Sequence, residues 1–184
     1  NGDGSDAMTT HPVDLVGISY LSSAWHEAQL RDIMAAGIDF IMPVYWGVPG
    51  QAEKGHFSWS FKGIPPLVAA HDALLQRSRQ GGTTAPPQIG MFYDTSILRH
   101  NSYNADGSHY IVDLTTDFGR EWFYTPIRDF FSLVPPAKWA RVEGRPIVFL
   151  YAGVDAEKRD PEALAYARER FLRDFGVECF IVKH

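Results

Sequence analysis

Asp94 closes the apolar run Gln88-Ile-Gly-Met-Phe-Tyr-Asp94, where a carboxylate can bind a sugar hydroxyl or take part in proton transfer. Other apolar runs end in flat side chains able to hydrogen-bond: Tyr20, the pair Tyr45-Trp46, Tyr93 beside Asp94, and Tyr151. His184 follows the last run. If these runs are parallel strands, all of these residues fall at carboxyl ends and converge on one face, as barrel active sites do. The reading is therefore Asp94 as the catalytic candidate, with Tyr20, Tyr45, Trp46, Tyr93, Tyr151 and His184 as substrate contacts. Local roles compete with it. Asp94 can instead cap a helix or form an Asx turn with Thr95-Ser96, and the tyrosines can serve the core.

The stretch Ala35-Ala-Gly-Ile-Asp-Phe-Ile-Met-Pro-Val-Tyr-Trp-Gly47 organises the elements that must position these residues. It reads as a helix end, a glycine stop and a buried strand, because Ile38, Phe40, Ile41, Met42 and Val44 form a nearly continuous apolar run. Upstream, Val13–Tyr20 reads as a first strand, followed by a helix capped at Ser22 or Ser23 and striped by Leu30, Ile33 and Met34. Downstream, an aromatic loop spans 47–63, and Pro65-Pro66 opens a second helix. Gln88–Asp94 is the third strand, a loop of about twenty residues follows, and Asp117 caps a third helix that Pro135-Pro136 ends. Trp139 and Val142 fall on a further turn before the fourth strand, Pro146–Tyr151. Asp160-Pro161-Glu162 starts a helix stopped by Gly176, and Val177–Val182 is the fifth strand.

Strand and helix thus alternate four times before a last strand, which demands a parallel sheet with right-handed crossovers. Two α/β architectures fit: the first five strands and four helices of a (β/α)8 TIM barrel, or a five-stranded doubly wound parallel sheet. The ending on a strand with no covering helix favours the barrel. Residues 1–12 form a polar, flexible lead, and 13–184 form one partial barrel domain.

Seventeen basic against 22 acidic residues give a net charge of −5, with no basic cluster, so nucleic acid and anionic membranes are excluded as expected partners. No apolar run approaches the length of a membrane span. Cys179 is the single cysteine, which excludes an internal disulfide and any multi-cysteine metal site. No cofactor and no metal are expected. Aromatic residues make up 14% of the chain, and several fall in loops, where they suit sugar rings.

Several motifs fail on inspection. His26-Glu27 lacks the second histidine of a zinc-peptidase helix, since Leu30 stands there. Gly17-Ile-Ser-Tyr-Leu21 lacks the second glycine of a nucleophile elbow. No phosphate-binding glycine loop follows the first strand. Ser102-x-Asn104-x-Asp106-Gly107, with Asp113 beyond, is a degraded calcium loop better read as a turn. Asp113, Glu121 and Trp122 are further candidates, with structural roles expected.

The run Ala35–Gly47 resembles the second-strand signature of endo-α-mannosidase-like glycoside hydrolases (family 99) and of related uncharacterised glycoside-hydrolase domains. Phe130-Phe-Ser-Leu-Val-Pro-Pro-Ala-Lys-Trp-Ala-Arg-Val-Glu-Gly-Arg-Pro-Ile-Val-Phe-Leu-Tyr151 is similar to the entry of the same families into their fourth strand. The resemblance implies a (β/α)8 barrel acting on carbohydrate in an extracellular, secreted setting. It implies sugar-facing roles for Tyr45 and Trp46, and it sets Asp94 where those families tend to carry Glu. Their paired catalytic glutamates lie on later strands, so it also implies that the acid/base pair and the remainder of the barrel follow His184 in cis. A non-catalytic carbohydrate-binding domain is the reading if they do not, and an unrelated doubly wound domain binding a small ligand at its switch point is the other alternative.

Overall fold

A computed structural model describes residues 19–46, 58–81, 84–100, 112–151, 156, 158 and 160–183. Most of the expected first strand lies outside these residues, as do His184 and the calcium-like turn at 102–107. Helix α1 (Ser23–Ala35) begins where the Ser22 hydroxyl accepts the Trp25 amide at 3.3 Å. It stops where Gly37 turns left-handed at φ 71° and the Gly37 and Ile38 amides return to Met34 and Ile33.

The extended segment that follows is split by Pro43 into β1 (Phe40–Ile41) and β2 (Val44–Tyr45). Its neighbour is split by Gly90 into β3 (Gln88–Ile89) and β4 (Met91–Asp94). Amides of Gly90 and Phe92 donate to Ile41 and Pro43, so the pairing carries through both breaks. At Gly90 a side chain would meet Ile147 Cγ2 at 2.6 Å, which explains the residue. Strand β5 (Arg141–Val142) forms a hairpin with β6 (Arg145–Tyr151), and β7 (Phe180–Lys183) pairs in parallel with β6.

The parallel order is β2, β4, β6, β7, which is also the order along the chain. The reversal of a doubly wound sheet does not occur among the described strands. Helix α1 packs on α2 (Ser58–Gly81), α2 touches α4 (Asp117–Leu133), and α4 packs on α5 (Glu162–Phe175). A short α3 (Ile97–His100) follows β4. The main helices therefore succeed one another as the strands do, along one side of the sheet.

Alternation of side chains divides the sheet into two faces. Tyr45, Ile89, Met91, Tyr93, Val148 and Leu150 are each 0% exposed and face the helices. Phe92, Phe149 and Tyr151 lie on the other face, with Phe40 and Val44 at its outer edge, 44% and 41% exposed. Behind the helix-facing side, Trp139 donates from its indole N–H to the Val134 carbonyl and meets Phe131 and Phe175 edge-on. Phe171 completes this cluster. Truncating one of its phenylalanines to alanine costs about 3–5 kcal/mol.

Three local expectations are corrected. Helix α2 does not open at Pro65-Pro66 but starts at Ser58 and runs through both prolines. Buried Ile64, Leu67, Ala70 and Leu74 lie at helical spacing, and their burial outweighs the missing donors. Thr116, not Asp117, caps α4. Val142, expected on a further turn before the fourth strand, ends strand β5 of the β5–β6 hairpin, which Glu143 and Gly144 turn at positive φ.

His71 on α2 is 4% exposed, and its Nε2 pairs with the Pro87 carbonyl at 3.1 Å. Burial first, then the Lys138 ammonium, holds its pKa below the ordinary value. Lys138 itself is buried and paired with Asp72. A histidine with a depressed folded pKa stabilises fully above its unfolded pKa and loses that contribution as pH falls. Burial lowers His26 in the same sense. Denaturant melts between about pH 7 and 5 should show stability declining below about 6.5. His71→Gln, which keeps a donor for Pro87 but does not titrate, should flatten that decline; an unaltered slope contradicts this role.

Candidate functional site

The register sets the geometry of the strand ends. Tyr45 pairs with Tyr93, so the next residues, Trp46 and Asp94, stand at one level, and Asp94 pairs with Tyr151. Three adjacent strands thus end in Trp46, Asp94 and Tyr151. Below this rim, the Phe92 ring packs on Tyr151 at 5.4 Å between centroids, 30° from parallel, and on Phe149 at 5.2 Å. These rings make an apolar floor on the face away from the helices.

Asp94 is 7% exposed, the one buried carboxylate among the described residues. Its Oδ1 accepts both the Ser96 amide at 3.1 Å and the Ser96 hydroxyl at 2.7 Å. The Asx turn weighed for this residue is therefore present. It fixes the carboxylate through one oxygen and leaves Oδ2 without a hydrogen bond from any described residue. Thr95, 0% exposed, donates its hydroxyl to the Tyr151 carbonyl at 2.7 Å. Tyr151 is 45% exposed at the open end of β6.

Other expected contacts stand elsewhere. Tyr45 and Tyr93 point into the helix layer and do not reach the rim. Tyr45 lies edge-on to Phe61 and Phe130, and its hydroxyl is buried with no hydrogen-bond partner among the described residues. Tyr93 stacks on Phe123 and donates to the Phe123 carbonyl at 3.3 Å. Burial above all raises both phenol pKa values, with Asp129 adding at Tyr45 and Asp94 at Tyr93. Period-two alternation is the cause: the residue before a rim position faces the helices. Trp46 is half-buried against the core. Tyr20 is 42% exposed ahead of α1, with its side chain over Gly63 of α2. His184 lies outside the described residues.

The loops behind the rim are tied by ion pairs. The Thr115 hydroxyl first, then Lys158, holds the Asp113 carboxyl down at about 2, which makes it an anion at neutral pH and no proton donor. Arg120 binds the Leu114 and Thr115 carbonyls and pairs with Asp160. Glu121 accepts from Tyr166 and Arg170 between α4 and α5, a structural clasp. Trp122 packs partly buried beside Phe118. Phe92 and Phe149 escape a reading that looks only at strand ends, although strict alternation from Tyr93 and Leu150 marks both. Among the described residues, no group of three or more His, Cys, Asp or Glu is arranged for a metal ion, and no helix is long and apolar enough to cross a membrane.

Gly119, in the first turn of α4, seats the loop on the helix. Its amide donates to the Thr116 hydroxyl, and a Cβ there would lie 1.8 Å from the Asp113 carbonyl oxygen. Backbone must move to admit it. Gly119→Ala should lower stability by about 1–3 kcal/mol or more in a denaturant melt; a neutral result would contradict this packing.

A family model described as a domain of unknown function, DUF5010, matches residues 10–184. The chain belongs to the DUF5010 family. Neither the curated proteins nor the solved structures contain a match to it.

Proposed function

We propose that this chain binds glycan along the carboxyl-end rim of its parallel sheet, as one wall of a (β/α)8 barrel of glycoside-hydrolase type. The observation that carries the reading is the common level of Trp46, Asp94 and Tyr151 on adjacent strand ends. An aromatic floor lies beside a carboxylate fixed through one oxygen. That combination suits a neutral sugar: the ring's C–H face packs on aromatic surface, and Asp94 Oδ2 accepts a hydroxyl. Strand order following chain order, with helices in matching succession, supports the barrel wall over a doubly wound sheet.

The apolar face bearing Phe92, Phe149, Phe40 and Val44 is, on this reading, barrel interior, covered by the remaining strands in cis. Hydrolysis needs a proton donor paired with a second carboxylate. Asp113, held ionised, is unsuited to donate; on this reading the described rim serves binding and orientation, and the acid/base pair lies elsewhere in the barrel. Among the described residues Asp94, the one buried carboxylate, is the group closest in kind to a transition-state stabiliser. An extracellular setting accompanies a polysaccharide substrate.

Titration calorimetry against a panel of neutral oligosaccharides tests the reading. Tyr151→Ala and Asp94→Asn should each weaken binding about tenfold, as expected when aromatic area or a charged acceptor is lost. Tyr45→Phe, which removes only a buried unpaired hydroxyl, should leave affinity unchanged. Failure of every glycan to bind, or equal affinity in all three variants, overturns the proposal.

A further inference from the structure

The open ends of β4 and β6 are joined by a side chain. Asp94 and Tyr151 are the last register partners of the two strands. One residue on, the Thr95 hydroxyl donates to the Tyr151 carbonyl at 2.7 Å, extending the cross-strand bonding past the ladder. Thr95 is fully buried, so it cannot itself meet a ligand. Its neighbours on either side are already committed to each other, because Ser96 holds Asp94 Oδ1 through both amide and hydroxyl. The tripeptide Asp94-Thr95-Ser96 therefore fixes two things at once: the carboxylate through Ser96 and the level of Tyr151 through Thr95.

We propose that Thr95 is a positioning residue, whose hydroxyl sets the spacing between the Asp94 carboxylate and the Tyr151 ring and thereby tunes the rim for a saccharide. This rests on the glycan reading above. A β-branched residue suits the task, since its χ1 is restricted and the hydroxyl direction is held by the buried methyl. Valine keeps that shape and removes the donor, leaving the Tyr151 carbonyl without it. Serine keeps the donor and removes the methyl.

The test uses the whole chain with two readouts. The first is ligand-free NMR of the Asp94 carboxyl carbon and the Tyr151 ring in wild type, Thr95→Val and Thr95→Ser. The second is calorimetric affinity for the tightest neutral oligosaccharide in the panel. Thr95→Val should displace or broaden both reporter signals and weaken binding roughly 3- to 10-fold, and Thr95→Ser should restore both. Should no oligosaccharide bind wild type, the glycan reading fails while the NMR arm still decides the coupling. Reporter signals unchanged in a folded Thr95→Val protein overturn the proposal, as does equal loss of affinity in both variants. If Thr95→Val does not fold, Thr95→Cys, which keeps the size with a weaker donor, takes its place under the same criteria.

Discussion

The parallel register, with its period-two alternation, is the constraint on which the rest of this structure depends. Once Tyr45 stands opposite Tyr93 and Tyr93 opposite Leu150, every strand residue is assigned a face. The helix-facing set is fully buried and almost wholly apolar. A shift by one residue would send Tyr45 and Tyr93 outward and drive Asp94 into the helix layer, where an ionised carboxylate is costly to bury. The same alternation that builds the core therefore delivers Trp46, Asp94 and Tyr151 to a common edge.

Packing on the helix side holds that register. The Trp139 indole bonds to Val134 and wedges among Phe131, Phe171 and Phe175, tying the connection between α4 and β6 to the surface of α5. The Ala140 amide donates to the Ile89 carbonyl, so the same segment reaches the β3 strand. Polar groups at this layer are few and committed: Tyr124 to Asp174, and Glu121 to Tyr166 and Arg170. Among the described residues the Tyr45 hydroxyl is buried against Phe61 and Phe130 with no hydrogen-bond partner, as are His71 Nδ1 and Arg170 Nε. At the rim, by contrast, the Asp94 Oδ1, Ser96 and Thr95 polar groups are fixed by hydrogen bonds to neighbours rather than by bulk packing.

Much of this architecture was legible in the residues. Apolar runs located the strands that begin near Phe40, Gln88, Pro146 and Phe180. Ser22, Gly37 and Gly176 marked helix ends that the structure confirms. Composition could not reveal that α2 passes through Pro65-Pro66, because tertiary burial of one stripe overrode a local breaker. The β5–β6 hairpin hid behind a single Glu143-Gly144 turn. At the rim, Asp94 and Tyr151 were found because carboxyl ends of parallel strands are distinctive places. Tyr45 and Tyr93 looked equivalent in one dimension and separate only when the pleat is followed residue by residue. Thr95 and Ser96 were legible as the Asx-turn neighbours of Asp94, whereas the Thr95 bond to the Tyr151 carbonyl joins strands distant in the sequence and was not.

The proposed division is between a helix-facing core and a rim that meets ligand. It is tested most directly by NMR chemical-shift mapping as a neutral oligosaccharide is titrated into labelled protein. Perturbations should concentrate at Trp46, Asp94, Thr95, Ser96 and Tyr151, with the rings of Tyr45 and Tyr93 and the opposite strand ends at Gln88 and Arg145 unmoved. Shifts confined to Gln88, Arg145 or the outer helix surfaces, with a silent rim, would contradict it.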